Sequence, residues 1–379
     1  MTSELSSLCS YAKGKVSVDT LSKRNYVSTE NMMPNKGGIV DAGALPSAQY
    51  TQQYIKDDIL VSNIRPYFKK IWMADDDGGC SNDVLVFRAD RGCDSTFLYY
   101  ILANDAFFNY ASATSKGTKM PRGDKTAIMQ YKVPCFNYET QLRIGKLLRS
   151  IDDRIAVNKK INDNLQQQLF SLYENMATAS PCLKEYTLSN LCDFQEGYVN
   201  PPQTHPEYFD GEVKWLRAVD INESFIIETS RTLTKAGFES AKKSALLFEP
   251  NTIAISKSGT IGRLGIIADY MCGNRAVINI APHDTNMLAF IYCFLKSKQR
   301  EFPDMAVGSV QKNLYVSLLE PLSVSIPDNE SLTAFNAVGA SILGMIHNNC
   351  VENTDLANLR DTILPKLMSG EIDVSAIQL

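Results

Sequence analysis

The sequence predicts a mixed α/β (α+β) chain: two globules, each followed by one long helix, with the second half repeating the first. Three observations carry that reading. An apolar stripe with coiled-coil spacing runs through 138–176. The same stripe returns 191 positions later. Before each stripe lie short β-branched runs bounded by Gly, Asn and Asp. At 379 residues the chain has room for two or three domains of ordinary size.

The stripe is followed by stepping alternately four and three residues. The first copy reads Ile144, Leu148, Ile151, Ile155, Asn158, Asn162, Leu165, Leu169, Leu172, Met176. The second reads Phe335, Gly339, Ile342, Ile346, Asn349, Asn353, Leu356, Arg360, Ile363, Leu367, with no gap needed. This is the spacing of a helix-pair seam, ~3.5 residues per step. No proline interrupts either segment before Pro365. Each predicts a single long helix, about 40 residues and ~60 Å for the first at 1.5 Å per residue. One helix cannot bury such a stripe alone, and the nearest partner is the other copy. The asparagines would then lie inside the seam, where a buried amide costs energy and fixes register. The competing arrangement is two unrelated amphipathic helices, each lying on its own domain.

The globules repeat more loosely. Ile59-Leu60-Val61-Ser62 is echoed by Ile253-Ala254-Ile255-Ser256, and Gly117-Thr118 by Gly308-Ser309. Short apolar runs at 84–87, 253–255 and 276–280 have strand character, while 95–112 and 286–300 have helical spacing. The predicted domains are 1–137 (first globule), 138–177 (central long helix), 178–327 (second globule) and 328–379 (C-terminal long helix).

Composition excludes several classes. With 44% hydrophobic and 21% charged residues, wholesale disorder and fibrous repeats are ruled out. No apolar run approaches the ~18 residues of a membrane span, and Glu4 stands where a secretory signal would carry basic and then apolar residues. The cysteines (9, 80, 93, 135, 182, 192, 272, 293 and 350) are odd in number and never spaced C-x-x-C, which argues against a disulfide framework or zinc ribbon. His205, His283 and His347 are too far apart in sequence to suggest a metal site. The expectation is a cytoplasmic, metal-free protein. A formal charge of −4 gives no global sign of nucleic-acid binding, but basic residues gather locally. Lys116, Lys119, Arg122, Lys125 and Lys132 surround the single acid Asp124, and Arg65-Pro66-Tyr67-Phe68-Lys69-Lys70 mixes cations with aromatics. A local patch suffices for phosphate contacts, and a solvated surface would look the same.

Several phrases resemble the specificity subunit of type I restriction-modification systems. They are Tyr26-Val27-Ser28-Thr29-Glu30-Asn31-Met32, the stretch from Ile59 through Arg65-Pro66-Tyr67-Phe68 to Ile71, and Trp215-Leu216-Arg217-Ala218-Val219-Asp220-Ile221. Ile255-Ser256-Lys257-Ser258-Gly259-Thr260-Ile261-Gly262 is another. Most specific is the ending, Leu359-Arg360-Asp361-Thr362-Ile363-Leu364-Pro365-Lys366-Leu367-Met368-Ser369-Gly370-Glu371-Ile372. The resemblance spans essentially the whole chain. It implies that each globule is a target-recognition domain reading one half of a bipartite, asymmetric site in double-stranded DNA. It implies that the two helices pair antiparallel as a coiled coil, with seam residues Ile144, Leu148, Ile151, Ile155, Asn158, Asn162, Leu165, Ile342, Ile346, Asn349, Asn353 and Leu356, and so set the unread spacer. It implies two modification (methyltransferase) subunits as partners, with restriction (translocase/nuclease) subunits joining in some systems. This chain would perform no catalysis and bind no cofactor; S-adenosylmethionine, ATP and Mg would sit on the partners.

Base readout in the major groove uses Arg or Lys for guanine and Asn or Gln for adenine. Candidates for DNA contact are therefore Arg65, Lys69, Lys70, Lys116, Lys119 and Arg122 in the first globule, and Lys257, Arg263, Arg275, Gln311 and Lys312 in the second. Gly117-Thr118-Lys119 and Gly308-Ser309-Val310-Gln311-Lys312 are corresponding loops. Each side chain has three open roles: phosphate contact, base contact or solvation.

Other motifs point elsewhere. Asn200-Pro201-Pro202-Gln203 resembles the Asn-Pro-Pro-aromatic motif of amino-group methyltransferases, but Gln203 cannot stack a flipped base. Asp193, Glu212 and Lys214 loosely match the acid–acid–lysine set of metal-dependent nucleases. Ser256–Gly262 lacks the G-K-[ST] ending of a phosphate-binding loop and reads as a tight turn between strands. Two rivals follow: a single-chain DNA-modifying enzyme, nuclease or methyltransferase, and a coiled-coil scaffold for protein interaction without a DNA role.

Overall fold

Strands form where the β-branched runs lie, and their alternation serves two cores at once. In a computed structural model, which describes residues 2–179, 184–309 and 311–376, Ile59–Ser62 is flanked by antiparallel Ile71–Met73 and Val84–Ala89, with Cys9–Tyr11 beyond the latter. Successive side chains on a strand point to opposite faces. Ile59, Val61, Leu85 and Phe87 accordingly pack with the helix Ser95–Ala103. Leu60, Val84 and Val86 face a second cluster with Val27, Tyr54 and Cys80. The helix starts at Asp94, whose carboxylate accepts from the Phe97 amide at 2.8 Å as an N-cap. A second four-stranded sheet runs Lys15–Ser17, Tyr50–Tyr54, Gly78–Cys80, Tyr26–Val27, the last pair parallel.

The second half builds the same frame. Cys192–Glu196, Val277–Pro282, Ile253–Ser256 and Leu264–Ile267 pair in the same order, and Phe225–Ile226 is added in parallel at the edge. Ser256–Gly262 lies in the turn between two of these antiparallel strands, with Gly259 and Gly262 at positive φ. In each half a two-stranded ribbon ends just ahead of a long helix: Thr2–Glu4 with Lys132–Pro134, and Lys184–Thr187 with Ser323–Ile326. Among the described residues no helix is long and apolar enough to cross a membrane.

The long helices span Tyr138–Ala179 and Asn329–Ser369. The chain divides into two compact units inside them: Met1–Arg154 with Leu356–Leu379, and Ile155–Asp355. In the second unit the helices run antiparallel. Asn158 Nδ2 donates to Asn353 Oδ1 at 3.0 Å and to Glu352 Oε2 at 2.8 Å, and Asn349 Nδ2 donates to Asn162 Oδ1 at 2.8 Å. In the first unit Arg360 Nη1 meets Asp152 Oδ1 at 2.6 Å, and Ile144, Leu148, Leu364 and Leu367 share one core.

The helix pair also walls each globule, each helix contributing to both cores, so the competing arrangement of unrelated helices on separate domains does not hold. Leu169, Tyr173, Phe335, Ile342 and Ile346 pack with Leu288, Ala289 and Phe290 of the helix Leu288–Lys298. Two expectations need correction. Leu172 is exposed and Tyr173 takes its buried place, because a straight helix drifts ~20° per heptad against a 3.5-residue stripe. The C-terminal helix stops at Ser369 rather than running on through 379. Gly370, at φ +77°, terminates it in a Schellman turn, the Glu371 amide donating to Lys366 O at 2.9 Å. Beyond the turn, Val374 returns to the first unit's core.

Candidate nucleic-acid interface

The two loops matched by sequence are one structural device used twice. In the first unit Lys116 and Arg122 exchange backbone hydrogen bonds of 2.8 and 2.9 Å. In the second, Val307 and Asn313, each 191 positions later, do the same at 3.0 and 2.9 Å. Each loop turns on a glycine at positive φ, Gly117 at +96° and Gly308 at +143°. Each is moored to the residue that follows its central strand: the Gly123 amide donates to Asn63 O at 3.1 Å, and the Leu314 amide to Lys257 O at 2.9 Å.

In the first unit this mooring brings Arg65, Lys116, Lys119 and Arg122 together. The Arg65 amide donates to Pro121 O at 2.8 Å, and Arg65 itself holds a left-handed conformation with a buried Nε that lacks a hydrogen-bond partner. Lys116 pairs with Asp124 at 2.5 Å and Arg122 with Asp83 at 3.0 Å, both from exposed positions, while Lys119 is exposed beside an exposed Met120. Lys69 and Lys70 are engaged elsewhere. Lys69 Nζ, with Lys36, holds Asp105 at 2.8 and 3.0 Å. Lys70 Nζ donates to Thr29 O at 2.6 Å, and desolvation lowers its pKa from the ordinary lysine value. Both tie the 28–40 segment down: the Asn35 and Lys36 amides donate to Phe68 O and Lys69 O.

In the second unit Lys257 lies beside the loop, its Nζ 2.9 Å from Glu196 Oε1 and 4.8 Å from the centre of the Tyr315 ring. Gln311 and Lys312 are exposed on the loop; Val310 lies outside the described residues, as does Cys182. Arg275 is exposed next to Ala276, whose carbonyl accepts from the Lys257 amide, and it lines a cleft with Tyr198, Asn200, His205 and Lys242. Arg263 is half-buried at the start of its strand, its amide bonded to Ser256 Oγ at 2.8 Å. Sequence reasoning missed Glu196, Tyr198 and Tyr315. Only Tyr315 carried a local signal, an aromatic three residues from Lys312.

The misleading motifs dissolve in the structure. Lys214 Nζ contacts Asp269 at 3.0 Å, Glu228 at 3.3 Å and Ile227 O at 2.9 Å, while Asp193 faces His283 at 3.2 Å. Asp193, Glu212 and Lys214 are thus not assembled as a nuclease set. Gln203 accepts from Arg231 at 2.9 Å in the loop after Asn200.

Two copies of a cation-bearing loop on a repeated frame, joined by continuous helices, define a tandem recognition protein. The model of the type I restriction modification DNA specificity domain matches residues 1–167 and again 183–354, and the chain belongs to that family. Among curated relatives, the MjaIX specificity subunit of Methanocaldococcus jannaschii is 24% identical over 308 residues, covering 76% of this chain and 71% of the relative. The HindI specificity subunit of Haemophilus influenzae is 27% identical over 176 residues, 45% of this chain and 38% of that one. The type I system S subunit from M. genitalium shares the fold, with a TM-score of 0.56 and 19% identity over 97% of this chain and 96% of that one.

Proposed function

We propose that this chain is the DNA-reading subunit of a type I restriction-modification complex and performs no catalysis itself. Each unit reads one half of a bipartite, asymmetric site. The observation that carries this is the moored loop, repeated at an offset of 191 with the same backbone hydrogen bonds at its ends and different side chains: Lys116, Met120 and Arg122 in one copy, Val307, Gln311 and Asn313 in the other. A repeated frame with unlike reading groups yields a non-palindromic target. Four of the first unit's six candidates, Arg65, Lys116, Lys119 and Arg122, cluster at its loop; Lys69 and Lys70 serve the fold.

The helix pair is the ruler in this reading. A flexible linker would spread binding over many spacings, whereas paired helices hold one, and half-sites must meet the duplex at fixed helical phase. Partners are two modification subunits supplying S-adenosylmethionine, joined in restricting systems by subunits supplying ATP- and Mg-dependent chemistry. The test is reconstitution with the modification subunits and mapping of methylated adenines. One bipartite motif should appear only when this chain is present, and purified chain alone should show no turnover on DNA with S-adenosylmethionine and Mg. Equal binding of random duplex by the assembled complex would refute the reading.

A further inference from the structure

Where two copies of one frame read different bases, the informative positions are those whose chemistry differs. Strand register fixes the correspondence. Tyr11 pairs with Phe87 in the first unit and Phe194 with Ile280 in the second, and counting two places on sets Lys13, just past the end of its strand, against Glu196, the last residue of its own. The central strands end at Ser62 and Ser256, so Asn63 corresponds to Lys257. The first unit thus places an exposed lysine and a buried amide where the second places a carboxylate bound to an ammonium.

A carboxylate beside a loop that meets phosphate is repelled by the DNA backbone, and an ion pair as buried as this one must recover a desolvation cost, so its presence is weak evidence of a purely stabilising role. This one is nonetheless held from two sides. Glu196 Oε1 accepts from Lys257 Nζ at 2.9 Å, and Oε2 accepts from the Tyr198 hydroxyl at 2.9 Å. The Tyr198 contact raises the phenol's pKa above its ordinary value, so the hydroxyl stays a donor. The Glu196 side chain retains 20% exposure against 13% for Lys257, and Tyr198 is half exposed beside it. A carboxylate offers about four lone-pair sites, so roughly two remain for a ligand.

We propose that Glu196, oriented by Tyr198 and Lys257, is a base-reading acceptor in the second half-site, taking a hydrogen bond from an exocyclic amino group in the major groove. Carboxylates pair there with cytosine N4, and adenine N6 presents the same donor. The inference rests on the DNA-reading function above. It places a specificity-determining residue on a strand outside the basic loop, at a position where the first unit carries Lys13.

The experiment uses the chain assembled with its modification subunits on DNA libraries randomised in both half-sites. Glu196→Gln replaces a pure acceptor with a group that also donates. One position of the second half-site should lose discrimination by roughly 10- to 100-fold, the range of a good base contact, with the first half-site unchanged. A G·C pair there identifies the cytosine amine and an A·T pair the adenine amine. Tyr198→Phe should weaken preference at the same position. If Glu196→Gln instead tightens all sequences by a common factor, steepens the salt dependence and leaves the motif intact, Glu196 merely neutralises Lys257 and the proposal is wrong. A wild-type complex without preference in either half-site would sink the underlying function instead.

Discussion

Asn158 and Asn353 face each other inside the helix seam, amide to amide at 3.0 Å, and Asn162 and Asn349 repeat the contact at 2.8 Å. Asn349 and Asn353 stand 191 places after Asn158 and Asn162, so exchanging the two helices maps one contact onto the other. A single chain has here the self-complementary logic of a two-fold dimer interface. Donors and acceptors correspond too, Asn158 and Asn349 donating to Asn353 and Asn162; the added contact of Asn158 Nδ2 with Glu352 Oε2 sets the first pair apart.

Replacing all four asparagines with leucine should hold or raise the melting temperature, since buried amides give way to apolar packing. It should also loosen register, seen as mixed oligomers in light scattering. Asn162→Leu alone strands the Asn349 amide and should cost about 1–3 kcal/mol in a denaturant titration. An unchanged single species from the fourfold variant would mean these amides do not specify pairing.

The loop glycines should differ in tolerance. A Cβ on Gly308 would lie 2.2 Å from Gln311 O, whereas one on Gly117 would lie 3.5 Å from Met120 O. Gly308→Ala should therefore rebuild its loop and abolish second half-site preference. Gly117→Ala meets only the left-handed backbone penalty, roughly 1–2 kcal/mol, and should retain first half-site preference. Library selection with each variant checks both.

Inserting one heptad into each long helix, so that the asparagine pairs stay matched, adds about 10 Å of helix. The preferred spacer should change in length, with both half-site sequences unaltered. Methylation mapping in cells reads this directly, and new half-sites at the old spacing would contradict the ruler.

Asp124 couples the basic loop to the next helix. Its Oδ1 accepts from the Thr126 and Ala127 amides at 2.9 and 3.2 Å, and its Oδ2 meets Lys116. The Lys116 contact, and then the backbone donors, hold its pKa below the ordinary aspartate value. A depressed carboxylate stabilises above its unfolded pKa of ~3.9 and loses that contribution as pH falls through its lower folded value. The mooring should thus be intact at neutral pH and released only in acid, with the Thr126 and Ala127 amide resonances titrating below pH ~3.9. Asp124→Asn should remove that titration.

Lys119, exposed on its loop, should act on phosphate. Lys119→Ala should weaken binding uniformly across sequences and reduce the salt slope by about 1. A changed motif instead would make it a base contact.

The helices and their seam were legible because local periodicity and a constant offset both survive in the residues themselves. Leu172 misled because a heptad count ignores helical drift, which delivers Tyr173 to the core. The paired loops were legible through Gly117 and Gly308. Lys70 looked like a free cation because its acceptor, Thr29 O, belongs to an irregular segment that no pattern announces. Glu196 was silent for a related reason: its meaning depends on Lys257, 61 positions away, and only strand register brings them together.

Leu364, Leu367 and Val374 share one core with Leu5, Phe97 and Leu148. The amino-terminal recognition unit can therefore complete this core only once residues 364–374 have been translated. The unit encoded second, Ile155–Asp355, is contiguous and can close first. Nascent chains halted before Leu364 would expose an unfinished amino-terminal lobe to proteases while the later lobe stands complete, reversing the usual order of synthesis and maturation.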